Sequence, residues 1–155
     1  MPLTRVFLAA VISIAGAITI LAALPSVGRT QTGGCPGNLI FTKAIKDFKD
    51  RKIGELNVYY DPGTGVNCAR TMHAGRTWGV EYQTSVHLRR CHTNRPGASC
   101  DPVPQDHQRL DIDNYKYYAG PVKLNARGEC IWASGKIGNW KSVHTRPQLV
   151  GAFCN

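Results

Sequence analysis

From about residue 38 onward, apolar and polar side chains alternate with a period of two over most of the chain, the pattern of strands that bury one face. The longest such run is 77–90, where Trp78, Val80, Tyr82, Val86 and Leu88 fall on one side and Glu81, Gln83, Ser85, His87 and Arg89 on the other. Its length predicts a strand that crosses the middle of a sheet. Upstream, Gly54, Leu56, Val58 and Tyr60 alternate with Glu55, Asn57 and Tyr59. Asp61-Pro62-Gly63-Thr64-Gly65 then supplies the turn chemistry for a reversal into a partner strand over 66–73. Downstream, Val122, Leu124 and Ala126 alternate with Lys123 and Asn125, and Arg127-Gly128 leads into a second extended run through Cys130 and Trp132. The stretch 115–137 is therefore predicted to be a β-hairpin, with Gly128 able to take the positive φ of a tight turn.

Segment 39–48 fits two periods: Leu39, Phe41 and Lys43 alternate, while Phe41, Ala44, Ile45 and Phe48 recur at helical spacing. A strand ending in a short turn is the preferred reading. Leu110, Ile112 and Asn114 resume an extended path after a polar segment, 91–107, whose Pro96, Pro102 and Pro104 mark it as a surface loop. The fold class these runs imply is mainly β, a small antiparallel sandwich or open barrel stapled by disulfides.

The first 28 residues read differently. Arg5 is followed by an apolar run over 6–24 broken only by Ser13 and Thr19, with small residues after it. This is the composition of a secretory signal peptide, with Ser26-Val27-Gly28 as the cleavage region, and retention as a membrane anchor is the alternative. Residues 29–155 then form a single secreted domain with no stable membrane span once the signal is removed. All six cysteines, Cys35, Cys68, Cys91, Cys100, Cys130 and Cys154, follow the signal, and an even number in an exported chain implies three disulfides. The preferred pairing is Cys91–Cys100, Cys68–Cys130 and Cys35–Cys154. The second of these would restrict the unfolded chain by about 4 kcal/mol in the chain-entropy account.

Charge narrows the partners. The chain carries 19 Lys plus Arg against 10 Asp plus Glu, a formal net charge of +9, and loses only Arg5 with the signal. Such a balance favours polyanionic surroundings, whether nucleic acid, an anionic cell-wall polymer or a membrane surface, and also serves solubility. His87, Arg89, Arg90 and Tyr118 are the candidate binding residues. The polar side of the long strand holds the residue types of a base, an acid and a phosphate clamp, but Glu81 and His87 are about 20 Å apart along one strand and cannot serve one bond unaided.

Other constellations are weaker. Cys91, His92, Cys100 and His107 are zinc-ligand types without a close cysteine pair, and an oxidising compartment favours a bridge. Ser85 and Ser134 lie in no nucleophile motif. Asp111 and Asp113 share one strand face, which reads as an exposed edge. Trp78, Trp132, Trp140, Tyr59, Tyr115, Tyr117 and Tyr118 could form an aromatic platform, although most should pack; of the adjacent pair Tyr117-Tyr118, one ring should be exposed. No catalytic residue, metal or cofactor is assigned.

At Tyr60-Asp61-Pro62-Gly63-Thr64-Gly65-Val66-Asn67-Cys68, at Tyr118-Ala119-Gly120-Pro121-Val122 and at Gly128-Glu129-Cys130-Ile131, the chain resembles the spore-associated protein A family, small exported proteins of spore-forming filamentous bacteria. The resemblance runs from Cys35 to Cys154, with Cys35, Cys68, Cys130 and Cys154 matching family cysteines and the 91–107 loop departing from the pattern. It implies an extracellular or spore-surface protein with no catalytic residues to carry over. The expected function is therefore that of a surface-associated, non-catalytic protein that binds an anionic polymer. The rival is a small basic secreted hydrolase of a polyanion such as RNA, using His87 with Arg89 or Arg90 and an unidentified carboxylate.

Overall fold

The computed structural model describes residues 34–100, 104–146 and 151–154, all within one compact unit spanning 31–155. The leader at 1–28 lies outside the described residues. Eight strands follow in order: β1 (Asn38–Lys46), β2 (Lys52–Asp61), β3 (Val66–His73), β4 (Tyr82–Cys91), β5 (Gln108–Tyr115), β6 (Tyr118–Asn125), β7 (Cys130–Ile137) and the short β8 (Val143–His144). They form two four-stranded antiparallel sheets, β1-β2-β3-β6 and β5-β4-β7-β8. Among the described residues there is no α-helix, and none is long and apolar enough to cross a membrane.

The two sheets face each other across a core to which alternation assigns one side of each strand. Leu56, Val58, Ala69, Ala119, Val122 and Leu124 from the first sheet meet Val86, Leu88, Ile131 and Ala133 from the second. As expected, β4 lies inside its sheet, between β5 and β7, and the 61–65 turn joins β2 to β3 as an antiparallel hairpin. The 39–48 segment is strand β1, followed by a turn.

Polar side chains also cross the interior. Thr71 on β3 donates its hydroxyl to the Ser85 carbonyl of β4 at 2.8 Å. This close approach requires Gly135 on β7, because a Cβ there would collide with the Thr71 hydroxyl. His73, 3 % exposed, bridges the same two strands. Its Nδ1 lies 2.9 Å from the Thr77 carbonyl, which can only accept, so Nδ1 carries a hydrogen; its Nε2 meets the Thr84 hydroxyl at 2.7 Å.

At one flank of the sandwich, Asp111 on β5 accepts the Tyr115 hydroxyl and the Gly120 N–H of β6, each at 2.6 Å. That contact ties the edges of the two sheets by a side chain rather than a ladder. β5 is an edge strand and Asp113 is exposed, as read from the sequence, but Asp111, on the same inward-facing side, is half-buried. The hydrogen bond to Asp111, reinforced by burial, pushes the Tyr115 phenol up to about 12.

Three further expectations are corrected. First, 115–137 is not a hairpin: β6 pairs with β3 and β7 with β4, so the 126–129 turn, with Gly128 at φ 76°, carries the chain from one sheet to the other. Both strands alternate as the sequence indicates, but their buried sides face each other across the core. Second, the disulfides are Cys35–Cys68, Cys91–Cys100 and Cys130–Cys154. A Cys68–Cys130 bond cannot form, because Cys68 points away from the core on β3 and Cys130 points away from it on β7, on opposite sides of the sandwich. Cys154 instead reaches Cys130 through the Ile131–Ala152 bridge. Third, β4 begins only at Tyr82; the short 3-10 turn Gly75–Thr77 precedes it, leaving Trp78 and Val80 54 % and 46 % exposed.

Digestion of the unreduced protein should therefore yield linked peptides for Cys35–Cys68 and Cys130–Cys154 by mass spectrometry; a Cys68–Cys130 peptide would contradict the topology. His73→Ala leaves the Thr77 carbonyl and the Thr84 hydroxyl without their interior partner, and should cost about 3 kcal/mol in urea unfolding.

Candidate functional site

Because Val86, Leu88, Ala133 and Gly135 point into the core, their neighbours on β4 and β7 point outward, and the register extends that face across four strands. One row runs Leu110, His87, Ser134, His144; beside it lie Gln108, Arg89 and Trp132, and on the other side Ile112, Ser85 and Lys136. Ser134, assigned no role from sequence, thus sits between two histidines on adjacent strands.

Trp132 is the centre of this face, only 8 % exposed although it points away from the core. His87 approaches its ring edge-on at 5.8 Å, the Arg89 guanidinium lies 5.5 Å from the ring centroid, and His144 stacks on it at 5.3 Å and 27°. The indole is thus wrapped by cationic or ionisable groups, a geometry that its electron-rich face favours. β8 holds His144 in place: Ala133 donates its N–H to the Thr145 hydroxyl at 3.2 Å, and the Ser142 hydroxyl lies 3.1 Å from His144 Nε2.

His87 Nε2 faces two groups of opposite kind: Arg89 Nε, 3.1 Å away, donates to it when it is unprotonated, and Gln108 Oε1, 3.0 Å away, accepts from it when it carries a hydrogen. Burial, with the nearby Arg89 charge, holds the His87 imidazole below the ordinary histidine range. Burial and Lys43 do the same for His144.

The four residues singled out from sequence do not converge. His87 and Arg89 share the outer face of the second sheet. Arg90, the next residue, necessarily points to the other side. It lies at the end of the sandwich, where its Nε pairs with Glu129 Oε2 at 3.0 Å and its Nη2 hydrogen-bonds His107 Nε2. Tyr118, paired with Met72, faces outward from the first sheet and is half-buried; the exposed member of the Tyr117-Tyr118 pair is Tyr117, 47 % exposed and edge-on to Trp78 at 5.0 Å. Glu81 is exposed and precedes β4, at the opposite end from Arg90.

Of the zinc-type quartet, Cys91 and Cys100 are bonded to each other, while His92 and His107 come together with ring centroids 4.3 Å apart. The sequence reasoning missed Glu129 and His144. Both lie far along the chain from their partners, and only the cross-strand register could have supplied the link.

The structure defines a disulfide-stapled, two-sheet antiparallel β protein. Over 97 residues the chain is 29 % identical to spore-associated protein A of Streptomyces coelicolor, an alignment covering 63 % of this chain and 54 % of that protein. The chain thus spans about half the length of the curated relative it matches. No family model matches it, and neither does any solved structure.

In an NMR titration the His87 and His144 ring protons should move with midpoints below 6.5, and Arg89→Ala should raise the His87 midpoint, since it removes a positive charge that opposes protonation.

Proposed function

We propose that this protein is exported and works at the cell or spore surface, where the outer face of its second sheet binds an anionic polymer of the wall or coat. One observation carries the reading. Among the described residues, the outward positions of the four strands hold Arg89, Lys136, His87 and His144 and no carboxylate. Cationic side chains gathered on one face raise its positive potential and draw a polyanion. The exposed side chains of Leu110 and Ile112 flank the cationic groups and offer apolar contact to the polymer's uncharged parts. Three disulfides suit an oxidising, extracellular setting, and the similar Streptomyces coelicolor protein is by its name associated with spores.

The state of the two histidines gives the reading a sign. Both have lowered proton affinity, so near neutral pH they add no charge to the face; as pH falls below 6.5 they gain protons and the face becomes more positive. Binding to purified wall or spore-coat material should therefore strengthen on acidification, and a His87→Asn/His144→Asn variant should lose that dependence. The Arg89→Ala/Lys136→Ala variant should bind roughly tenfold more weakly at low salt, equivalent to about 1.4 kcal/mol. Raising the salt should release the wild type. Binding indifferent to salt and to both double variants would refute the assignment of this face.

A further inference from the structure

At the end of the sandwich where β4 finishes and β7 begins, four side chains from three separate parts of the chain converge. Arg90 is the last residue but one of β4, His92 opens the following loop, His107 ends that loop, and Glu129 lies in the turn before β7. Glu129 spans two of the others: Oε2 is 3.0 Å from Arg90 Nε, and Oε1 is 3.6 Å from His92 Nδ1. His107 packs against the His92 ring and accepts from Arg90 Nη2, with the exposed Asp106 carboxylate 3.3 Å from the same Nε2.

The cluster is neither fully buried nor fully exposed. Arg90 and Glu129 are 27 % and 30 % exposed, and His92 is 52 % exposed. The buried Nδ1 of His107 has no hydrogen-bond partner among the described residues. A carboxylate, a solvent-reachable imidazole and a guanidinium within contact of one another supply a proton acceptor, a proton donor and a clamp for developing negative charge. The four side chains include no hydroxyl or thiol to attack a substrate, so the arrangement suits a substrate that carries its own nucleophile. A ribonucleic acid strand does, since each 2′-hydroxyl adjoins the phosphodiester.

We propose that this end cluster is a second site, independent of the outer face, that cleaves RNA by internal transphosphorylation. The Glu129 carboxylate takes the 2′-hydroxyl proton as the O2′–P bond forms. The His92 imidazolium gives its proton to the 5′-oxygen, which leaves with the electron pair of the broken P–O5′ bond. Arg90 holds a non-bridging phosphoryl oxygen. The products are a 2′,3′-cyclic phosphate and a 5′-hydroxyl, so no atom or electron is left over and no external reactant is consumed. His107 acts as a positioning residue: it orients Arg90 and backs the His92 ring.

The test uses the full exported chain, with each variant purified in parallel and its fold checked by circular dichroism. Wild-type protein should cleave a single-stranded RNA oligonucleotide to products ending in a cyclic phosphate, detected by phosphorus NMR, and should leave the same oligonucleotide intact when its riboses are 2′-deoxy. His92→Ala and Glu129→Gln should each lose about a hundredfold or more in rate. Arg90→Lys should lose rate because it replaces a planar fork by a point charge. His107→Ala should lower kcat, and His107→Asn, which keeps an acceptor for Arg90, should restore part of it. Lys49→Ala, an exposed change away from both sites, should leave cleavage unchanged. Intact RNA after incubation with folded wild-type protein would overturn the proposal, as would cleavage undiminished in both His92→Ala and Glu129→Gln. Polymer binding by the folded His92→Ala protein reports on the outer face separately, so one site can fail without the other.

Discussion

The close approach of the two sheets at the crossing of β3, β4 and β7 sets the geometry of the rest. There the side chain of residue 135 is reduced to hydrogen, Thr71 reaches a backbone carbonyl of the opposite sheet, and His73 ties β3 to β4 a residue pair further along. Buried polar groups of this kind are costly unless every one is paired, so they fix the relative placement of the sheets more tightly than apolar contact alone. Alanines at 69, 119, 126 and 133 keep the core thin at the remaining contacts. With the inner sides so closely matched, the strand period dictates which residues face outward, and the row through His87, Ser134 and His144 is a consequence.

The two outer faces then differ in kind. The first sheet satisfies itself: Lys52 pairs with Glu55, Asn57 bonds both Glu55 and Thr42, and Arg70 bonds the Tyr59 hydroxyl at 2.8 Å. On the second sheet Arg89, His87 and His144 surround the Trp132 indole. Net positive charge, visible in the composition as a single number, thus meets different surroundings on the two faces, hydrogen-bonding side chains on the first and an aromatic ring on the second.

Strand positions were legible in the sequence because period-two alternation is a local property, and β2, β3, β4 and β6 follow it. Pairing was not. Val122 to Ala126 and the run through Cys130 alternate in the same way whether they form a ladder or face each other across a core, and a glycine turn serves both connections. That ambiguity spread to the cysteines, since the pairing of Cys68 depends on which side of the sandwich Cys130 occupies. It spread to the site as well: Arg89 and Arg90 read as one basic pair, yet adjacent strand residues belong to opposite faces, and their partners come from β7 for one and from the 126–129 turn for the other.

The end cluster shows how covalent links can organise a site without taking part in it. Cys91 stands between Arg90 and His92, and Cys130 directly follows Glu129. Cys91 and Cys130 are themselves cross-strand partners, so the two halves of the cluster are held at one register position of the second sheet. The Cys91–Cys100 bond then constrains the loop that must leave at His92 and return at His107. A loop shortened this way has fewer unfolded conformations to lose, which lowers the entropy cost of bringing two distant histidine rings into contact.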